Sequence, residues 1–352
     1  MLELRNISKR IGDFVLEDIS FNVSKGDYFV LLGVSGAGKT MLLEIIAGLR
    51  NTDKGNIILD GLDITNIRAN KRGVGLVFQD SAIFPHLNVA KNIAYSLHGK
   101  GLTKAEIQSR VIKWAETVNI ENLLERQSNG LSGGEKRRVA LARTLAMEPD
   151  ILLLDEPLSS LDVLLQYDMI RLLKQINTSG KTIMHVTHDY NEAYSLARTL
   201  AIINSGKIEQ LGLPEEIFKN PYSKFVSAMT GIRNFFVCHE IQNAGKLYKI
   251  RIKEGLSVFS SEYCAPGNPF FIREDEISFT NQDINIEENI IEGIITDIFP
   301  SPEFYSVVVD AGVNFYVRVK KQDMKLLSVN IGGKIRVQIL PEVVIPVKRD
   351  TT

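Results

Sequence analysis

Three groups of residues in this sequence have types and spacings suited to phosphate chemistry. The first is Gly33-Val34-Ser35-Gly36-Ala37-Gly38-Lys39-Thr40. Its glycines permit a tight turn in which successive backbone N–H groups point at phosphate oxygens. Gly33, Ser35, Gly36 and Gly38 would form the cradle, Lys39 would reach the outer phosphates, and the Thr40 hydroxyl would bind Mg2+. From average residue usage the pattern alone arises in roughly one chain in a hundred of this length, so its surroundings decide. The second group is the apolar run Ile151 to Leu154, closed by Asp155 and Glu156. Asp155 ends a strand and suits a Mg2+ partner; Glu156, turned away from that strand, could orient and deprotonate a water. The third group is two side chains that each follow a strand. Gln79, after Val74 to Phe78, could coordinate the metal or place water. His188, after Thr182 to Val186, could donate to a terminal phosphate. His86, His98, His185 and His239 have no such placement. Apart from these three groups, the string Leu131-Ser132-Gly133-Gly134-Glu135 lies between the loop and the acids, just ahead of the acidic strand.

These residues need elements to hold them. The run Tyr28 to Leu32 predicts a strand leading into the glycine loop, and Thr40 to Leu49 a helix with Leu42, Leu43, Ile45, Ile46 and Leu49 on one face. Asn56 to Leu59 is strand-like. A polar, helical insertion spans about 85–130, with Lys104 to Asn119 and Glu121 to Arg126 its clearest helices. Strand Ile151 to Leu154, helix Leu164 to Ser179, strand Thr182 to Val186, helix Tyr190 to Leu200 and strand Leu200 to Asn204 follow. That alternation predicts an α/β fold with a mostly parallel sheet covered by helices. Near Gly231 the character changes to short β-branched and aromatic runs: Leu247 to Ile252, Phe270 to Arg273, Ile290 to Ile298, Tyr305 to Val309, Phe315 to Val319 and Ile335 to Leu340. These predict a smaller all-β barrel or sandwich. The expected domains are 1–230 and 231–352, the second dividing into lobes 231–286 and 287–352 that meet near Asn285 to Asn289.

Lys and Arg number 41 against 42 Asp and Glu, a balance that argues against a dedicated nucleic-acid binder. Cys238 and Cys264 fit no metal or redox spacing, and isolated buried thiols are expected. The N-terminus lacks a signal-peptide pattern, and no apolar run approaches the ~18 residues of a membrane span. The expectation is a peripheral protein at the cytoplasmic face of the membrane, held there by partners.

With the glycine loop, Gln79, the Leu131 to Glu135 string, the two acids and His188 in this order, residues 1 to about 230 resemble the ATPase subunits of ATP-binding-cassette (ABC) transporters. The resemblance implies an α/β P-loop ABC ATPase domain followed by an all-β, OB-like domain of the TOBE/MOP kind. It implies ATP and Mg2+ as cofactors and a homodimer in which Leu131 to Glu135 of one copy caps the ATP bound by the other. Ser132 and Gly134 would then contact the γ-phosphate across the dimer, and Asp162 would bridge the two active sites. A helix starting near Gly133 would point its positive end at that phosphate. In the family an aromatic residue stacks on adenine from a position like Ile11; here either Phe14 takes that role or the base is held by apolar contact.

The stretch Ser81 to Leu87 resembles the coupling surface of importer ATPases. Phe84, Pro85 and Leu87 are the candidate docking residues for integral-membrane permease subunits, which work with an extracytoplasmic solute-binding protein; the alternative is a loop tucked under the insertion. The β domain resembles the regulatory domain of importers for oxyanions, sugars, polyamines and iron. Gly231-Ile232-Arg233-Asn234 is similar to the Arg-Asn string that opens a molybdate-type lobe, and the stretches Tyr28 to Gly33 and Leu43 to Gly48 are closest to molybdate and tungstate importers. The expectation is therefore molybdate or tungstate import, with Arg233 and Asn234 as a regulatory anion site and sulfate, polyamine, sugar or iron(III) as alternative solutes. A DNA-repair ATPase of this kind would need a long coiled coil between loop and string, and a translation-type cassette protein would carry two cassettes.

Overall fold

The computed structural model describes residues 1–280, 289–326 and 329–347. Asn285, at the expected lobe junction, lies outside them. The chain divides into two compact units, Met1–Ile217 and Phe218–Thr352. The expected boundary near 230 falls inside the second unit.

The first unit contains two sheets. Strands β1 (Leu2–Ile11), β2 (Phe14–Val23), β4 (Lys54–Leu59) and β5 (Leu62–Asp63) form an antiparallel sheet in the order β2-β1-β4-β5. Strands β3 (Tyr28–Leu32), β6 (Val74–Val77), β7 (Ile151–Asp155), β8 (Thr182–Thr187), β9 (Thr199–Asn204) and β10 (Lys207–Gly212) form the second, ordered β10-β9-β3-β8-β7-β6. All of its neighbours are parallel except β10 with β9. Every residue of β3, β7 and β8 is buried, which explains why β3 and β7 read as nearly continuous apolar runs; β8 also buries Thr182, His185 and Thr187. Their shared direction has a functional consequence. The segments that leave β3, β6, β7 and β8 all emerge at one edge, where open α/β sheets place ligands.

Helix α1 (Lys39–Ala47) buries Leu42, Leu43, Ile45 and Ile46 in a core shared with both sheets, where the Phe21 and Phe29 rings stack at 4.7 Å. The insertion comprises α2 (Val89–Tyr95), α3 (Lys104–Thr117) and the start of α4 (Gly133–Ala146). Thr103 and Glu106 close the start of α3 with a capping box, each satisfying a backbone N–H of the other. The expected helix at Glu121 to Arg126 is only a single 3-10 turn, Glu121–Leu123. The carbonyls of Leu124 and Arg126 instead accept from Ala90 and Val89, the open N–H groups of α2. After β7 come α5 (Val163–Thr178) and α6 (Tyr190–Leu196). The latter stops short of Leu200 because Ala197 is already extended on its way into β9.

Helix α7 (Pro214–Lys219) spans the division between units, and α8 (Lys224–Met229) opens the second. The rest of that unit is a curled all-β body. Its strands are β11 (Asn234–Val237), β12 (Glu240–Ala244), β13 (Leu247–Lys253), β14 (Leu256–Ser260), β15 (Pro269–Ile272), β16 (Ile277–Thr280), β17 (Asn289–Pro300), β18 (Phe304–Asp310), β19 (Asn314–Lys320), β20 (Lys334–Ile339) and β21 (Ile345–Pro346), with α9 (Lys321–Leu326) after β19. They make three sheets: β11-β15-β21, β12-β13-β14 and β16-β20-β17-β18-β19. Strands from either side of the expected lobe junction pair with one another, β15 with β21 and β16 with β20. One core joins Ile250, Val258 and Phe270 to Val307, Phe315 and Val337.

Candidate functional site

The glycine loop Gly33 to Gly38 connects β3 to α1 and lies against other parts of the unit. A Cβ on Gly33 would sit 2.5 Å from the Ile203 carbonyl oxygen. Gly38 has φ of 101°, and a Cβ there would meet Leu16 Cδ2 at 2.6 Å and the Phe14 ring at 2.8 Å. Neither position tolerates a side chain. Phe14 therefore rests against the loop's backbone. With Ser35, Gly36, Gly38, Lys39, Thr40, Met41, Gln79 and Glu156 it lines an open cleft of about 400 Å³. The Lys39 side chain is buried, and its ammonium donates to the carbonyls of Gly33 (2.8 Å) and Val34 (3.1 Å). Burial pushes its pKa down, against the pull of Glu156 and Asp155.

The two acids at the end of β7 face different partners. Asp155 is buried, and its Oδ1 accepts the Thr40 hydroxyl at 3.1 Å. Burial raises its pKa and the Glu156 charge adds to the rise, while the Thr40 bond opposes it. Glu156 has φ of 45°, a left-handed conformation that costs a non-glycine residue roughly 1–2 kcal/mol. The turn is held by the Glu156 N–H donating to Val186 (3.0 Å) and by the Ser159 hydroxyl donating to the Glu156 carbonyl (2.9 Å). This geometry turns the carboxylate off the strand line. One oxygen lies 3.2 Å from His188 Nδ1, the other accepts the Gln79 amide at 3.3 Å, and the Lys39 ammonium is 4.0 Å away. Thus Lys39, Thr40, Gln79, Asp155, Glu156 and His188 are brought together, from four segments of the chain.

Arg137, which no sequence signal singled out beyond its place in a basic run after Gly134, supports this arrangement. Its guanidinium donates to the Pro157 carbonyl at 3.0 Å and the Ser159 hydroxyl at 3.4 Å, so α4 braces the turn that carries Glu156.

The ABC transporter family model matches residues 16–159. A spermidine/putrescine import ATP-binding protein of Protochlamydia amoebophila is 38% identical over 302 residues, covering 83% of this chain and 81% of that one. The chain belongs to the ABC transporter family. It is an ATP-hydrolysing subunit of an import system. A molybdate/tungstate import ATP-binding protein of Pyrococcus abyssi is 43% identical over 235 residues, 66% of this chain and 68% of that one. A solved dimeric post-hydrolysis state of an ATP-binding cassette bound to ADP and phosphate superposes with a TM-score of 0.55 at 28% identity. It covers 61% of this chain and 99% of that one.

In this ABC ATPase, Ser132, Gly134 and Asp162 do not line the cleft of their own chain. Ser132 caps α4: its hydroxyl accepts the Glu135 N–H at 3.3 Å, and its own N–H donates to the Glu135 carboxylate at 2.6 Å. That backbone bond holds the Glu135 carboxyl below its ordinary pKa. Gly134 is buried, with Leu165 beside it. Asp162 caps α5 by accepting the Leu165 N–H at 3.0 Å.

The segment after Gln79 is fastened from beneath and open above. Asn92, fully buried, accepts the Phe84 N–H and donates to the carbonyls of Phe84, Leu87 and Asn88 and to the Ser128 hydroxyl. Arg143 of α4 donates to the carbonyls of Ala82 (2.9 Å) and Ser81 (3.2 Å) and lies over the Phe84 ring. Phe84 also packs on Tyr95 at 4.3 Å. Pro85 and His86 are exposed, whereas Phe84 and Leu87 are half-buried. One helix, α4, therefore touches both the Glu156 turn and this surface loop.

In the β unit, Arg233 and Asn234 have structural partners. The Arg233 guanidinium is bound at both ends by the Glu274 carboxylate (2.6 and 2.8 Å), donates to the Ser306 hydroxyl and lies over the Tyr316 ring. Asn234 is buried and exchanges two 2.7 Å hydrogen bonds with the Tyr316 backbone, pinning β11 to β19. A carboxylate already satisfies the guanidinium that was expected to take an anion. The cysteines are both buried but not isolated from each other: the Cys238 thiol donates to the Cys264 carbonyl at 3.3 Å, and burial pushes the Cys264 thiol up to about 12. Among the described residues no helix is long and apolar enough to cross a membrane.

Proposed function

We propose that this chain powers polyamine import, with ATP hydrolysed at the cleft between Phe14 and Glu156. The observation that carries the solute class is the reach of the likeness. The spermidine/putrescine relative aligns over 302 residues, well past the ATPase unit, whereas the molybdate/tungstate relative aligns over 235. Over that shorter stretch molybdate/tungstate and spermidine/putrescine relatives are alike 43% identical, so the ATPase unit does not separate the two classes and molybdate or tungstate stays the second reading. That reading no longer has Arg233 to support it. Uptake of labelled spermidine and putrescine is expected to fall at least tenfold in cells lacking the chain, with molybdate uptake unchanged. Loss of molybdate uptake alone would reverse the assignment.

The residues divide the chemistry as follows. Loop N–H groups from Gly33 to Thr40 bind the β- and γ-phosphates, and Lys39 exchanges its two carbonyl partners for phosphate oxygens. Thr40 and Asp155, 3.1 Å apart, are hard oxygen donors that fit Mg2+, with the Gln79 amide as a third. The ion, when bound, would neutralise charge on the β- and γ-phosphates. Glu156 takes the proton of a water whose oxygen attacks the γ-phosphorus; the bond to the β–γ bridging oxygen breaks, releasing ADP and phosphate. Gln79 and His188 fix the two carboxylate oxygens for that task, and the exposed side of His188 faces the departing phosphate. Ser132 and Gly134 of a second copy close the site, and Asp162 lies between the two sites. Mg2+ and dimerisation are consistent with the family and with the dimeric, ADP- and phosphate-bound neighbour.

The exposed Pro85 and His86, framed by Phe84 and Leu87, are the proposed docking point for a membrane permease. Through Arg143, movement of this loop would reach α4 and hence the Glu156 turn. Phe14 is the proposed adenine platform. Base–aromatic stacking is worth about 1–3 kcal/mol, so Phe14→Ala should raise the ATP KM about fivefold or more with little change in kcat. An unchanged KM, read by steady-state phosphate release, would leave the base to apolar contacts elsewhere.

A further inference from the structure

Behind the cleft lies a polar cluster that the chemistry above does not use. His185 is completely buried in β8, between β3 and β7, in a sheet whose neighbouring residues are apolar. Its Nδ1 lies 3.1 Å from the hydroxyl of buried Tyr28 on β3. Burial, with the nearby Glu192 charge, raises the Tyr28 pKa well above its ordinary value, so the hydroxyl is un-ionised and able to donate to Nδ1. When Nδ1 accepts that bond the imidazole proton is on Nε2, which lies 3.5 Å from Glu192 Oε2 of α6 without a formed hydrogen bond. Glu192 accepts the Thr187 hydroxyl at 2.6 Å, and that hydroxyl in turn accepts the Asp189 N–H at 3.0 Å. Arg137 of α4 is the other charge acting on Glu192.

The end of β8 is where this chain of contacts meets the reacting groups. The Val186 carbonyl accepts the Glu156 N–H, the Thr187 carbonyl accepts the Gly33 N–H at 3.2 Å, and His188 follows directly. One strand end thus fixes the base, the first residue of the phosphate loop and the phosphate-facing histidine relative to one another. Tyr28 and His185 are buried and Glu192 is half-buried behind it; such polar groups are costly to desolvate, and apolar residues would fill the same space more cheaply.

We propose that Tyr28, His185 and Glu192 form a positioning relay that holds Thr187, and through it the Glu156 turn, Gly33 and His188, in the geometry needed for hydrolysis. None of the three touches the cleft. They act through Thr187, and their loss falls mainly on the chemical step, because, of the loop's phosphate-binding groups, only Gly33 is bonded to Thr187 while Lys39 and Thr40 keep their own partners. The inference rests on the roles proposed for Glu156 and His188.

The test compares His185→Phe, isosteric Glu192→Gln and His185→Gln in the full chain, with Glu156→Gln as control. His185→Phe and Glu192→Gln are expected to lower kcat about tenfold with the ATP KM within twofold of the parent. His185→Gln, whose amide can accept from Tyr28 and donate to Glu192, is expected to stay within twofold of the parent kcat. If Glu192→Gln, which preserves packing, leaves kcat within twofold, the relay is overturned. It is equally overturned if kcat and KM worsen together and His185→Gln fails as badly as His185→Phe, the pattern of plain core damage. Full activity in the Glu156→Gln control would instead sink the underlying roles, so the two failures are distinguishable.

Discussion

Replacing Glu156 with Gln is expected to reduce ATP hydrolysis by a hundredfold or more while leaving ATP binding within about threefold. The change alters one atom and keeps the volume, so the Gln79 contact and the backbone bonds to Val186 and Ser159 can persist. What disappears is a group able to accept a proton from water. General base catalysis typically contributes 10²–10⁴-fold, and at about 1.36 kcal/mol per decade a hundredfold loss is about 2.7 kcal/mol of barrier. The Lys39 ammonium also loses a carboxylate 4.0 Å away, but its shorter bonds are to loop carbonyls, so affinity should change little. The measurement is phosphate release beside equilibrium binding of a fluorescent ATP analogue. Hydrolysis within tenfold of the parent would remove Glu156 from the role of base.

Ser132→Arg should have a comparable effect on turnover for a different reason. Within its own chain Ser132 only caps α4, and losing an N-cap costs about 1 kcal/mol, a drop of a few degrees in Tm. It lines no part of its own cleft, so ATP affinity of the single chain should stay within about threefold. If a second copy closes on the nucleotide through this helix end, however, a long side chain there fills the space meant for phosphate. Hydrolysis should then fall about a hundredfold. Near-normal hydrolysis would mean that the Ser132 to Glu135 string plays no part in the reaction.

What was readable in the sequence follows from how local each signal is. The fully buried parallel strands announce themselves as Tyr28 to Leu32 and Ile151 to Leu154, and the glycine loop needs only its neighbours to be recognised. Gln79, Asp155, Glu156 and His188 each lie at or just beyond the end of a parallel strand, so a shared sheet edge could be inferred. Residues 1 to about 60 read as strand-like, but β1 and β2 could not be delimited because register shifts at Leu4, Ile7 and Lys9 and left-handed residues Asn6 and Asp18 break their alternation. His185 was passed over because its meaning depends on Tyr28, 157 residues earlier. Arg233 illustrates the converse. An Arg-Asn string looks like an anion site until Glu274, brought across by the fold, is seen to hold it.

ATP held between the glycine loop of one copy and the Ser132 helix end of another would bring Ser35 of the first close to Ser132 of the second. The most direct test is to place cysteines at Ser35 and Ser132 in the Glu156→Gln chain and oxidise with and without ATP and Mg2+. Native Cys238 and Cys264 are both buried and contribute little background. A disulfide-linked, dimer-sized species is expected that forms with ATP and is much reduced without it. Absence of that species under both conditions, or equal amounts with and without ATP, would contradict that placement of ATP.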